Sequence, residues 1–207
     1  MASISIDQAL NDETNFLDRQ TGPFFRRVDW MAFWLTFLIS FGVYFYTMGP
    51  TVTLEDSGEL AVASDYLGVP HPPGYPIWTL LTWFFQWIFH WVKYFGTPDG
   101  NLTLLGKSFL HLFGADFGKA HPNPAWGVTL ASVVTGALAC AAQAMLISRS
   151  AADILFHMKK KLPNMTPGSE NLLCLVGGMS GGLLLAFSQV LWSQSTIVEV
   201  YSLNAMF

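Results

Sequence analysis

From Trp30 to Met48 the chain carries no charged side chain, and the same is true of Trp126 to Ser148 and of Asn171 to Trp192. Apolar runs of about 20 residues are what a helix needs to cross a hydrocarbon core about 30 Å thick. Backbone N–H and C=O groups find no water at that depth, so each run has to pair them internally as a helix. The expectation is an all-α integral membrane protein, a multi-pass helical bundle. Composition agrees: 52% of the 207 residues are hydrophobic and 12% are charged, against about 25% charged in a soluble domain.

Charge sets the topology. Arg19, Arg26 and Arg27 immediately precede the first run, which by the positive-inside tendency keeps residues 1–29 as a cytoplasmic tail and sends Trp30 to Met48 outward. The loop that follows is then extracytoplasmic. The segment Tyr75 to Phe95, YPIWTLLTWFFQWIFHWVKYF, is apolar enough to span or to lie along the interface. An interfacial helix leaves the basic residues Arg149, Lys159, Lys160 and Lys161 on the cytoplasmic side, whereas a crossing forces them out. Its four tryptophans also suit headgroup depth, so the interfacial helix is the favoured expectation. Ser132, Gly136 and Cys140 stand four apart in the second run, and GGMSGG in the third pairs Gly177 with Gly181 and Gly178 with Gly182. Small residues at this spacing let helices approach closely. The last stretch starts another apolar helix without closing it, which reads as the N-terminal part of a longer multi-pass protein within a bacterial inner membrane or the endoplasmic reticulum.

Several function classes drop out. The net charge is −4 and the ten Lys and Arg form no basic stripe, so no nucleic acid is expected as a partner. Cys140 and Cys174 fall inside spans and read as packed thiols. His90, alone on an apolar helix, reads as an interfacial or packed residue; His111 and His121 have no partner at ligand spacing, so no metal site is read, and assistance to the acids by a divalent cation is left open. Asn101 and Asn164 open acceptor triplets for glycosylation, a pattern common by chance.

Polarity concentrates instead in PTVTLEDSGELAVASDYLGVPHPPGYP, residues 50–76. Asp56 and Glu59 have the spacing of a capping box at the start of a helix ending at Gly68, and that structural reading stands beside a functional one. In the functional reading Glu55, Asp56 and Glu59 fix a carboxylate near the headgroups, where partial dehydration makes it a general base. His71 is followed by Pro72 and Pro73, whose stiffness would aim the imidazole, and Gly74 permits a sharp bend. Thr196 and Glu199 in SQSTIVEVYSLNA fit a second capping box, and topology brings this segment to the same membrane face as Asp56.

LEDSGEL, LGVPHPPGYP and WSQSTIVEVYSLNA together closely resemble the N-terminal region of the family known as domain of unknown function 2723, which includes the transmembrane-protein-260 type protein O-mannosyltransferases. The resemblance runs from about Trp30 to Phe207. It implies a GT-C-like glycosyltransferase fold with an acidic first outer loop and an interfacial helix, here Tyr75 to Phe95. It further implies inverting transfer of a sugar such as mannose from a polyprenyl-phosphate donor to a protein or glycan hydroxyl. On that reading Asp56 is the catalytic base and Glu59 its orienting partner. Glu55 is a substrate-binding residue, His71 and Tyr75 bind the lipid phosphate or sugar hydroxyls, and Glu199 with Tyr201 completes the acceptor side; membrane lipid, donor and acceptor are the partners. A transporter or flippase and a non-catalytic scaffold are the alternatives. The clear spans contain only Gln143 and Gln189 as large polar side chains, whereas transporters place ionisable groups at mid-membrane.

Overall fold

The computed structural model describes residues 23–49, 51–52, 56–72, 74–90, 124–158 and 165–207. Three long helices form its frame: α1 (Arg27–Thr47), α4 (Pro124–Met158) and α5 (Pro167–Ala186). Between α1 and α4 in sequence lie α2 (Ser57–Asp65) and α3 (Pro76–His90); after α5 come two short helices, α6 (Gln189–Ser195) and α7 (Tyr201–Asn204). Helices α1, α4 and α5 are each long and apolar enough to cross a membrane. The chain is an all-α integral membrane protein.

Helices α1 and α5 each bury a narrow stripe at four-residue spacing, whereas α4, at the centre, is buried on most sides. On α1 the stripe is Val28, Ala32, Thr36, Ser40 and Tyr44, while Trp34, Leu38 and Tyr46 face outward. On α5 it is Cys174, Gly178, Gly182 and Ala186. Lipid is as apolar as leucine, so burial of apolar area gives little reason for these helices to associate; close backbone approach and buried hydrogen bonds do. At Gly182 an added methyl would stand 2.7 Å from the Cys140 carbonyl oxygen, and at Gly178 it would stand 2.6 Å from that of Ala144. Of the expected glycine pairs, then, Gly178 and Gly182 both meet the α4 backbone, whereas Gly181 meets only the Ile147 side chain and Gly177 meets nothing. Both cysteines are buried and free.

The helix bounds differ from expectation in two places. Helix α4 runs ten residues beyond Ser148, and Arg149 is part of it, pairing with Asp153 one turn on at 3.3 Å. The third apolar run does not continue to Trp192. It stops at Ala186, and Ser188 starts α6 by accepting the Leu191 N–H on its hydroxyl. The Ala186 carbonyl left at this break accepts the Tyr44 hydroxyl at 2.7 Å, so a buried side chain supplies the partner that the helix no longer provides.

At the N-terminal end of α1, Asp29 is fully buried within an ionic staple. Its carboxylate accepts the Arg26 N–H at 2.8 Å and the Ser148 hydroxyl at 2.6 Å, and it pairs with the Arg26 guanidinium at 3.2 Å. Arg26 also reaches Glu170 at 3.5 Å, so one residue ties α1 to α5 while Asp29 ties it to α4.

A methyl added at Gly182 or Gly178 presses on helix backbone that cannot rotate aside, whereas one at Gly177 meets nothing within 4 Å. Gly182→Ala and Gly178→Ala are each expected to cost about 1–3 kcal/mol through overpacking. Gly177→Ala should be neutral or gain up to about 1 kcal/mol of helix propensity. Thermal unfolding in detergent micelles reads both, and equal midpoints for Gly182→Ala and Gly177→Ala would contradict the packing described.

Candidate functional site

The site lies at the end of the bundle opposite the Asp29 staple. Helix α2 opens at Asp56, but the Asp56 side chain makes no capping bond. The expected capping box is absent because Glu59 turns to a different partner: its Oε1 accepts the His71 backbone N–H at 2.7 Å and its Oε2 lies 3.3 Å from His71 Nδ1. A carboxylate that grips a backbone amide and a ring nitrogen of one residue fixes both the loop and the ring. The His71 amide, followed by the imidazole, holds the Glu59 carboxyl below the ordinary glutamate range.

The other face of the ring points to Asp56, with Nε2 3.8 Å from Oδ2. Asp56 and Glu59 are 62% and 51% exposed, so this is an open rim and not a sealed pocket. Glu55 lies outside the described residues.

Two turns hold the ring in place. Helix α2 ends in a Schellman arrangement, with the Gly68 N–H donating to the Ala63 carbonyl at 2.7 Å and the Leu67 N–H to that of Ser64. Leu67, and not Gly68, takes the left-handed conformation, at φ 52°. In the second turn the Gly74 N–H donates to the His71 carbonyl at 3.1 Å, and Gly74 and Tyr75 both have positive φ, 91° and 39°. A non-glycine residue there costs about 1–3 kcal/mol and persists only where its surroundings enforce it. Here the enforced turn brings the Tyr75 ring edge-on to the imidazole, centroids 6.0 Å apart, at the head of α3.

Helix α3 is inside out relative to a soluble helix. Its buried face is Trp78, Thr79, Thr82 and Gln86, while Ile77, Leu80, Phe84 and Trp87 face outward. The Ser64 hydroxyl donates to Thr82 Oγ1 and the Gln86 amide to Ser64 Oγ, both at 2.8 Å, binding α2 to α3. The expected helix continued to Phe95; residues beyond His90 lie outside the described ones.

The EVYSL segment is built into the floor beneath this rim. Ser57 Oγ donates to the Val198 carbonyl at 3.3 Å, and the Trp78 indole N–H and the Ser132 hydroxyl both donate to the Glu199 carbonyl at 3.1 Å. Thr196 and Glu199 form no capping box. Thr196 ends α6, and Glu199 Oε2 accepts the neighbouring Val200 N–H at 3.1 Å. Glu199 is 5% exposed, so its side chain belongs to the interior and not to an acceptor-facing surface, whereas Tyr201 is exposed. Asp56, Glu59, His71 and Tyr75 are thus brought into one group, and Glu199 supports it from below. Ser57, Trp78 and Ser132 join the site although the sequence assigns them no functional role: Ser57 lies inside LEDSGEL, Trp78 reads as one of four interfacial tryptophans, and Ser132 as a small packing residue.

Beside Glu59 opens an apolar groove of about 460 Å³, walled by Val62, Tyr66, Val69 and Pro70. Among the described residues, no group of three or more His, Cys, Asp or Glu side chains has the geometry to hold a metal ion.

The family described as the Protein O-mannosyl-transferase TMEM260 N-terminal domain matches residues 56–97 and 101–207, a match that begins at Asp56, within the first motif, and takes in the other two whole. The chain belongs to this family. Protein O-mannosyl-transferase TMEM260 of Mus musculus is 30% identical over 165 residues, 80% of this chain, and the Dictyostelium discoideum protein of the same name is 26% identical over an equal length. The chain spans 16% and 14% of the lengths of these TMEM260 relatives. No solved structure matches it.

Because the Glu59 carboxyl is held below its ordinary value, the contribution of its bond to His71 is complete above that value, near 4.5, and is lost as pH falls through the depressed one. The Glu59 side-chain carboxyl carbon resonance in an isotope-labelled sample should therefore stay in place on acidification until the pH is below 4.5. Titration of that resonance at or above this point would mean that the carboxylate is not bound as described.

Proposed function

We propose that this chain forms the acidic, donor-binding part of a membrane glycosyltransferase of GT-C type. It moves a sugar, mannose by its family, from a polyprenyl-phosphate carrier to a protein or glycan hydroxyl on the extracytoplasmic side. The observation that carries the reading is the convergence, inside the family match, of Asp56, Glu59 and His71 on one open rim at the end of the spanning helices. Residues 1–29 would remain cytoplasmic, and residues 30–207 would belong to the transmembrane domain.

The chemistry follows from which groups are free. Glu59 is engaged by His71 and serves to orient. Asp56 makes no capping bond and stands exposed, so its carboxylate is the one available to take the acceptor's proton. The acceptor oxygen attacks the anomeric carbon from the face opposite the phosphate, and the configuration inverts. The bond to the phosphate oxygen breaks with its electron pair on phosphate. Phosphate leaves readily as an anion, so a second carboxylic acid of the glycosidase kind is unnecessary.

His71 and Tyr75 border the position assigned to the donor's phosphate and sugar, and Glu55 is assigned to substrate binding by its place in the LEDSGEL motif. The groove walled by Val62, Tyr66 and Val69 and the outward apolar face of α3 suit an isoprenoid chain. Tyr201, exposed, is assigned to the acceptor side. Glu199 is assigned to support, in keeping with its burial.

Asp56→Asn separates this function from a scaffold. Since the Asp56 side chain makes no cap bond, the fold should change by less than about 0.5 kcal/mol, within the range of surface substitutions. Transfer should fall by at least about 100-fold, the usual contribution of a general base. Glycopeptide mass spectrometry of exported proteins from strains with matched expression reads the loss of the hexose. An unchanged profile would return Asp56 to a structural role.

A further inference from the structure

We propose that His71 Nε2 is the resting place of the proton taken from the acceptor hydroxyl, delivered through Asp56, and that Glu59 is a positioning residue acting through the opposite ring nitrogen. The inference rests on the transferase reading above and assigns that site a third working group.

The geometry sets the direction of the relay. A carboxylate can only accept, so the Nδ1 that meets Glu59 carries the ring proton in the neutral imidazole. Nε2 is then the bare nitrogen, and it is the atom facing Asp56. Two acceptors facing each other leave a place for one proton between them. The 3.8 Å separation is about 1 Å beyond hydrogen-bond contact, a gap that the exposed Asp56 side chain can close by rotating.

The sequence of bonds balances. The acceptor O–H bond breaks as its oxygen bonds the anomeric carbon, and the sugar–phosphate bond breaks with its pair on phosphate. The proton goes to Asp56 Oδ2 and passes to Nε2, and Asp56 returns to carboxylate. Imidazole is by its chemistry a stronger base than a carboxylate, which gives the relay its direction from Asp56 to the ring. The resulting imidazolium sits between two carboxylates, and its partial exposure lets it release the proton to water before the next turnover. The titratable side chains meeting the ring among the described residues are Asp56 and Glu59 from α2 and Tyr75 at the head of α3. Glu59 is bound to the loop by the His71 backbone N–H as well as by the ring, which is what an orienting group requires and a mobile base does not.

The test uses membranes from cells expressing the complete gene, labelled polyprenyl-phosphate mannose as donor and a serine- and threonine-rich peptide as acceptor. His71→Asn keeps an N–H that reaches Glu59 but lacks Nε2. The expected result is a kcat lower by about 100-fold, a donor KM within about threefold of wild type, and an acid limb of the kcat–pH profile moved to lower pH, where the Asp56 carboxylate alone sets it. Imidazole in the buffer should restore part of the rate of His71→Ala. Glu59→Gln should lower kcat less than His71→Asn does and keep the acid limb in place. A raised donor KM with kcat unchanged would overturn the relay and make His71 a phosphate ligand. Full activity of His71→Asn beside an inactive Asp56→Asn would overturn the relay alone. Full activity of both would overturn the transferase reading of this site. Should His71→Asn not accumulate, His71→Gln is judged by the same kcat and KM split.

Discussion

The main-chain carbonyls of Thr196, Val198 and Glu199 are where the parts of this structure are joined. The Gly49 N–H beyond the end of α1 donates to the Thr196 carbonyl at 2.8 Å, Ser57 of α2 donates to Val198, and Trp78 of α3 with Ser132 of α4 donates to Glu199. Non-helical backbone buried near a bilayer has to find partners for each carbonyl, since none is provided by its own segment. Four elements meet that requirement at one short segment. Val198 and Val200 then complete an apolar cluster with Leu60, Trp78 and Val128, so the polar junction and the packing are the same contact seen from two sides.

The two ends of the bundle use charge differently. At the α1 N-terminus Asp29 is buried and matched by Arg26 and Ser148, and its task is completed within the fold. At the far end Asp56 and Glu59 are exposed, with one of them held by a loop histidine. A buried, fully matched carboxylate resists change of partner, because separating it leaves an uncompensated charge. An exposed, half-matched one can exchange protons and ligands. The difference in solvation is what makes the second end suited to chemistry.

Backbone strain contributes to the same end. Leu67, Gly74 and Tyr75 all adopt positive φ within a short stretch, and only one of them is glycine. Their cost is carried by the Schellman bonds of α2, the Glu59 grip on His71 and the seating of Tyr75 against the Leu60 and Val198 cluster. The outcome is an imidazole whose two nitrogens meet two different carboxylates.

The sequence by itself determined the membrane class and the three helices long and apolar enough to cross, because hydrocarbon leaves long uncharged runs no alternative to helix, and it singled out the polar segment that carries Asp56, Glu59 and His71. It also placed the small-residue faces, since four-residue spacing is a property of the helix alone. It did not determine partners. The capping boxes expected at Asp56 and at Thr196 were local bonds, and each gave way to a longer-range one: Glu59 to His71 twelve residues on, and the EVYSL backbone to helices far away in the chain. Nor did it determine which of Gly177 and Gly178 faces a neighbour, that Glu199 is buried, or that Asp29 has a partner in Ser148. Those were settled by the tertiary structure, for one physical reason. A polar group near a bilayer takes whichever donor or acceptor the packed helices bring within reach, and that set exists only once the helices have packed.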